Sequence, residues 1–100
     1  MVKEIKDNEW EKLIKESKKV VIDCFATWCG PCRMLSPVLD NISEELKDVT
    51  FYKIDVDNAE KITTEYQIMS IPTLLIFEDG KLKDKVVGLR SKSDLIDLLK

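Results

Sequence analysis

The 100-residue sequence predicts a mixed α/β fold: a central mixed sheet with helices on both faces, its elements in the order βαβαβαββα. Three observations carry that reading. The run VVIDCFA, residues 20–26, is short, β-branched and almost continuously apolar, as a strand covered on both faces must be. Directly after it, Met34, Leu35, Val38, Leu39, Ile42 and Leu46 recur at helical spacing. Near the C-terminus, TLLIF and LKDKVV flank EDGK, the form of a β-hairpin with Asp79-Gly80 at its turn.

The remaining elements follow in chain order. VKEI, residues 2–5, suits a short first strand. Asn8 reads as a helix N-cap with Glu11 three residues on, the spacing of a capping box, and Trp10, Leu13 and Ile14 then follow at helical spacing. The long helix that opens near Cys29 contains Pro37, which is expected to kink it. VTFYKIDV, residues 49–56, reads as a strand. Residues 58–66 read as a short helix with Ala59, Ile62 and Tyr66 on one side, and Ser91 caps a final helix carrying Leu95, Ile96, Leu98 and Leu99.

Composition narrows the function classes. With 44% hydrophobic and 35% charged residues, the chain has material for one core, so residues 1–100 are expected to form a single domain. The net charge of −3, with 16 basic and 19 acidic residues interspersed, offers no basic patch for a phosphate backbone, which argues against nucleic acid as a partner. The opening MVKEIKDNEW lacks an apolar run behind a basic flank, and no segment approaches the ~20 apolar residues that span a bilayer. A soluble, cytoplasmic protein with no membrane partner is expected.

Two of the three cysteines fall in TWCGPCRM, residues 27–34. In a reducing compartment a purely structural disulfide is uncommon, and a Cys-x-x-Cys pair is more often catalytic or metal-binding. Histidine is absent, which removes Cys–His nucleophilic catalysis and the Cys/His zinc arrangements; Cys24 would supply only a third zinc ligand. No metal is expected. A structural staple, a metal half-site and a redox pair remain the readings of the spacing alone.

With WCGPC placed between a buried strand and a helix, the sequence resembles the thioredoxin family. The resemblance extends to VVIDCFATWCGPCRM, KIDVD, SIPTLLIFEDGK and VVGLRSK, in family order, and covers essentially the whole chain. It implies the thioredoxin fold and a general protein-disulfide reductase that works by thiol–disulfide exchange. Cys29 is then the exposed nucleophile, acidified at the start of a helix, and Cys32 the more buried resolving thiol. Gly30 and Pro31 suit the first helical turn.

Asp23 lies within the apolar strand, where desolvation raises a carboxyl's pKa. By residue type alone it is a strand-end aspartate bonded to backbone; the resemblance makes it the group beneath Cys32 that assists proton transfer. Lys53, otherwise a solvated strand lysine, matches a family lysine that pairs with this aspartate. The resemblance also implies a cis peptide bond at Ile71-Pro72, packed on the cysteines, with the Ile71 backbone pairing to an extended client. Trp28, read alone, is a core tryptophan or a partly exposed ring on the active-site loop. With Gly30, Pro31, Ile71, Pro72, Gly88 and Leu89 it would form a flat apolar client surface, although Gly88 also reads as a bulge glycine. Cys24 departs from the family pattern and reads as a small buried hydrophobe.

No cofactor beyond a redox-active Cys29–Cys32 disulfide is expected: the chain has three glycines and no phosphate-binding loop. The implied partners are a separate thioredoxin reductase, NADPH- or ferredoxin-dependent, and disulfide-containing client proteins, with a monomer as the default. The competing readings are a binding or assembly subunit without turnover, and an oxidase or isomerase of the same fold. The latter's motif usually carries histidine between the cysteines, where this chain has Gly30-Pro31.

Overall fold

The computed structural model describes residues 1–100. Along the chain run β1 (Lys3–Ile5), α1 (Trp10–Leu13), β2 (Lys19–Phe25), α2 (Gly30–Glu45), β3 (Val49–Asp55), a 3-10 turn (Val56–Asn58), α3 (Glu60–Glu65), β4 (Thr73–Glu78), β5 (Lys81–Val87) and α4 (Lys92–Leu99). The expected order is present. The five strands form one sheet, β1-β3-β2-β4-β5, in which β3 pairs parallel with β1 and β2 while β4 and β5 are antiparallel.

The central position of β2 explains its composition. Val20, Ile22 and Cys24 point into one core, shared with Trp10, Ile14, Ile54, Ile62 and Phe77. Val21 points into the other, shared with Leu35, Leu39, Ile42, Leu95 and Leu99. Strand alternation then sets Asp23 on the α2 face, below the start of that helix. Pro37 removes the N–H that would donate to the Arg33 carbonyl, a cost of about 3 kcal/mol in a helix interior. Burial of Leu35, Leu39 and Ile42, worth roughly 1.5–3 kcal/mol each, outweighs it. The helix accordingly continues through Pro37 to Glu45.

Two local expectations are corrected. Asn8 does not cap α1: the N-cap position is Glu9, without a side-chain cap, and its carboxylate instead accepts from the Lys6 N–H at 2.8 Å. The helix is a single turn, held by the burial of Trp10 and of Ile14 just beyond it. The second concerns Val49–Val56 and residues 58–66. The Asp55 carboxylate accepts from the Asp57 N–H at 3.0 Å, turning Val56–Asn58 into a 3-10 turn and delaying α3 to Glu60. The hairpin turn is as expected, with Asp79 and Gly80 both left-handed at φ 54° and 80°.

Candidate active site

The loop that leaves β2 carries Ala26, Thr27 and Trp28 to Cys29, the N-cap of α2. Cys29 and Cys32 are joined as a disulfide, their Cα atoms 5.3 Å apart. The Cys32 N–H donates to Cys29 Sγ at 3.2 Å, so the sulfur occupies the place of a capping oxygen. Gly30 and Pro31 are the first two helical residues, both exposed, and Pro31 lacks an N–H where the helix has no partner for one. The first turn of α2 contains no acidic side chain. A negative charge on Cys29 would therefore meet the positive end of a helix without a competing anion.

Cys29 is not exposed as expected. In the disulfide form both cysteines retain only 4% of their accessible surface. The reason is the packing of Phe25, Val56 and Ile71 around the pair. The Ile71-Pro72 peptide is cis, and the Ile71 carbonyl oxygen lies 4.0 Å from Cys29 Sγ. Two contacts pin this segment: Gly88 N–H donates to the Pro72 carbonyl at 2.8 Å, and Thr73 Oγ1 donates to the Ser70 carbonyl at 2.6 Å. Gly88 has φ +92°, a conformation that a side chain would strain.

Trp28 is a surface residue, 67% exposed, with its indole Nε1–H donating to Asp57 Oδ2 at 2.8 Å. Gly30, Pro31 and Leu89 are exposed, Ile71 and Gly88 half-buried and Pro72 buried. Sequence reasoning missed Asp57. It lies within the family-like stretch around KIDVD, but no spacing rule links it to a tryptophan 29 residues away. It also missed Met69, almost fully exposed two residues before Ile71.

Asp23 is buried at 3%, and its Oδ1 makes no hydrogen bond, which excludes a carboxyl fully satisfied by backbone. Burial pushes it from 3.8 up to about 7, against the opposing charge of Lys53. Asp23 and Lys53 are in register on β2 and β3. The direct ion pair implied for them is not made: the Lys53 ammonium sits over the Phe25 ring, 5.7 Å from its centroid. Asp23, Lys53 and Cys32 instead share a cavity of about 140 Å³, whose wall also includes Thr27, Arg33 and Ser36. Cys24 lies in the opposite core, its thiol pushed up to about 12 by burial and by the Asp23 charge, and takes no part in the site. No group of three His, Cys, Asp or Glu side chains is arranged to hold a metal ion.

Comparison with known proteins agrees with this arrangement. The family model described as Thioredoxin matches residues 1–100. The chain is 48% identical over 92 residues to a thioredoxin of Mycoplasmoides gallisepticum, covering 92% of each chain. It is 46% identical over 99 residues to one of Chlamydia pneumoniae, covering 99% of this chain and 96% of that one. Among solved structures, the oxidised mitochondrial thioredoxin 3 of Saccharomyces cerevisiae superposes with a TM-score of 0.90 at 35% identity, covering 98% of this chain and 92% of that chain. A mutant thioredoxin of Halobacterium salinarum gives 0.91 at 35%, covering 97% and 86%.

Proposed function

Because this chain belongs to the thioredoxin family and is a thiol–disulfide oxidoreductase of the reductase type, we propose that it reduces protein disulfides generally, with Cys29 as nucleophile and Cys32 as resolving thiol. The observation that carries these roles is the position of Cys29: its sulfur caps α2, receives the Cys32 N–H, and faces the Ile71 carbonyl.

In the reduced protein the Cys29 thiolate attacks one sulfur of a client disulfide. A bond forms between Cys29 and that sulfur, the client S–S bond breaks, and the other client sulfur leaves as a thiolate that takes up a proton. Cys32 then gives its proton to the Asp23 carboxylate and attacks Cys29 Sγ. The mixed disulfide breaks, the second client thiolate leaves and is protonated, and the Cys29–Cys32 disulfide remains. Two electrons have passed to the client. A carboxyl titrating at about 7 is suited to this step, since near neutrality it both accepts and releases a proton readily.

The client lies extended along the Ile71 backbone, beside Pro72, and rests on Trp28, Gly30, Pro31, Gly88 and Leu89. Asp57 holds the Trp28 ring in place for it. Lys53 modulates the charge of Asp23 across the shared cavity without pairing to it. Two electrons and two protons return from a separate thioredoxin reductase, dependent on NADPH or ferredoxin, and no bound cofactor is needed because the dithiol is the carrier. Residues 1–100 act as one domain and as a monomer. The charged outer strand β5, with Lys81, Lys83, Asp84 and Lys85 exposed, discourages edge pairing and supports the monomeric reading. No helix is long and apolar enough to cross a membrane, and the protein acts in the cytoplasm as an electron carrier in redox homeostasis.

The test is the reduction potential of the Cys29–Cys32 pair in dithiothreitol buffers with thiol trapping. The expected value is about −270 mV, the known figure for thioredoxin itself, against about −180 to −120 mV for isomerase and oxidase relatives. A value in the second range overturns the reductase reading. Cys32→Ser is expected to accumulate a client joined to Cys29; failure to trap any client would reverse the assigned roles.

A further inference from the structure

The resolving step requires Asp23 to take a proton and then lose it, and the buried carboxyl makes no hydrogen bond within the protein, its Oδ1 being fully enclosed. A buried carboxyl left without a partner is unfavourable, so a donor that reaches its less enclosed oxygen stabilises it. The cavity of about 140 Å³ that Asp23 shares with Cys32 and Lys53 has room for several water molecules.

The wall of that cavity limits which groups can direct such water. The Lys53 ammonium is drawn to the Phe25 ring, and Arg33 Nη1 donates to the Thr27 carbonyl at 3.3 Å. Thr27 is at the exposed rim. Ser36 differs from all three. It is half-buried on α2, four residues after Cys32 and so on the same helix face, and its hydroxyl is not committed to another group in the protein.

We propose that Ser36 is a positioning residue of the resolving step: its hydroxyl, through water in this cavity, hydrogen-bonds the Asp23 carboxyl and connects it to solvent. The inference rests on the reading of Asp23 as the group that takes the Cys32 proton. A donor on the carboxyl favours its ionised form, the form able to take the proton, and the same water path carries the proton away once the disulfide has closed. The charged or titratable groups facing Asp23 are Lys53 from β3 and Cys32 and Arg33 from α2. From β4 the residue in register is Leu74, which carries no charge, and Cys24 points into the other core.

The experiment compares the parent protein with Ser36→Ala, Ser36→Thr and Asp23→Asn, following the rate of mixed-disulfide resolution against pH and, by carboxyl NMR, the titration of Asp23. Ser36→Ala is expected to move the Asp23 midpoint upward by roughly half to one pH unit and to slow resolution at neutral pH by roughly 3- to 10-fold. Ser36→Thr, which keeps the hydroxyl, is expected to restore both. An unchanged midpoint in Ser36→Ala overturns the proposal, even if its melting temperature falls, because a purely packing role would move stability alone. If Asp23→Asn leaves the pH profile of resolution intact, the base reading itself fails. If Asp23→Asn abolishes that profile while Ser36→Ala shifts nothing, only the role of Ser36 is lost.

Discussion

The N-termini of α2 and α3 meet the same requirement, unpaired N–H groups, with different atoms. At α3 the acceptor is the carboxylate of Asp7, some fifty residues upstream: Oδ2 takes the Lys61 N–H at 2.7 Å and Oδ1 the Ile62 N–H at 3.0 Å, while the buried Trp10 indole donates to Oδ1 at 3.1 Å. At α4 it is the Ser91 hydroxyl, 3.2 Å from the Asp94 N–H. At α2 it is the Cys29 sulfur, a weak acceptor while neutral. The oxygen-capped ends are already satisfied. The sulfur-capped end is improved by a negative charge on its cap, and that is the condition for a thiol that ionises readily to the attacking thiolate. One helix end is held ready for chemistry while the other two stabilise the fold.

The largest effect should come from making α2 like the others. Cys29→Ser supplies an oxygen cap, so stability is expected to stay close to that of the reduced parent, but a hydroxyl at this site does not ionise near neutrality. Insulin-disulfide turnover is expected to fall by at least about a thousandfold. Turnover within tenfold of the parent would mean that the attacking sulfur is another one.

The carboxyl below the same helix end provides the next test. Unfolded, Asp23 releases its proton near 3.8; folded, it holds the proton up to about 7. Between those values the folded state binds more protons than the unfolded one, so stability falls as pH rises through the window and levels off above it. Asp23→Asn removes this dependence. Its advantage over the parent in urea denaturation is expected to grow by up to about 4 kcal/mol from pH 4 to pH 8, whereas parallel stability curves would show that the carboxyl is not desolvated as described.

What could be read from the chain divides along the same line. Signals carried by neighbouring residues were legible: the apolar run of β2, the left-handed pair Asp79-Gly80, the Ser91 cap, and a cysteine placed where a helix begins. The conformation at Ile71-Pro72 came from family resemblance, since neither residue type indicates it. Features made by distant residues meeting were not legible. Asn8 and Glu11 have capping-box spacing, yet the neighbouring Asp7 is the residue that caps, and it caps α3. The family resemblance implies that Lys53 pairs with Asp23, but the aromatic ring of Phe25 takes the ammonium. The burial of Cys29 depends on Ile71, 42 positions later, and no local pattern encodes it.

A third test removes the long-range cap. Asp7→Ala leaves two helix N–H groups and the Trp10 indole without their acceptor, and the indole belongs to a residue only 2% exposed. The expected loss is about 2–3 kcal/mol in chemical denaturation, combining the cap with one buried donor. Disulfide reduction at a temperature where the variant is folded should change less than twofold, because α3 packs on the core away from the cysteines. A comparable loss of activity would show that this end of the molecule is coupled to the site.

The smallest effect is expected at α4. Ser91→Ala removes one hydroxyl acceptor from an exposed helix end, and water can replace it at the Asp94 N–H, so the cost should be about 1 kcal/mol or less. Leu95 and Leu99 remain buried against Leu35 and Leu39 and continue to hold the helix down. Amide exchange should therefore quicken only in the first turn, from Lys92 to Asp94, and the melting temperature should fall by less than for Asp7→Ala. If Ser91→Ala instead costs as much as Asp7→Ala, the difference between the two caps does not lie in how many donors each one satisfies or in how far it reaches along the chain. It would then lie in α4 itself, whose eight residues would depend on their cap more than on the two leucines beneath them.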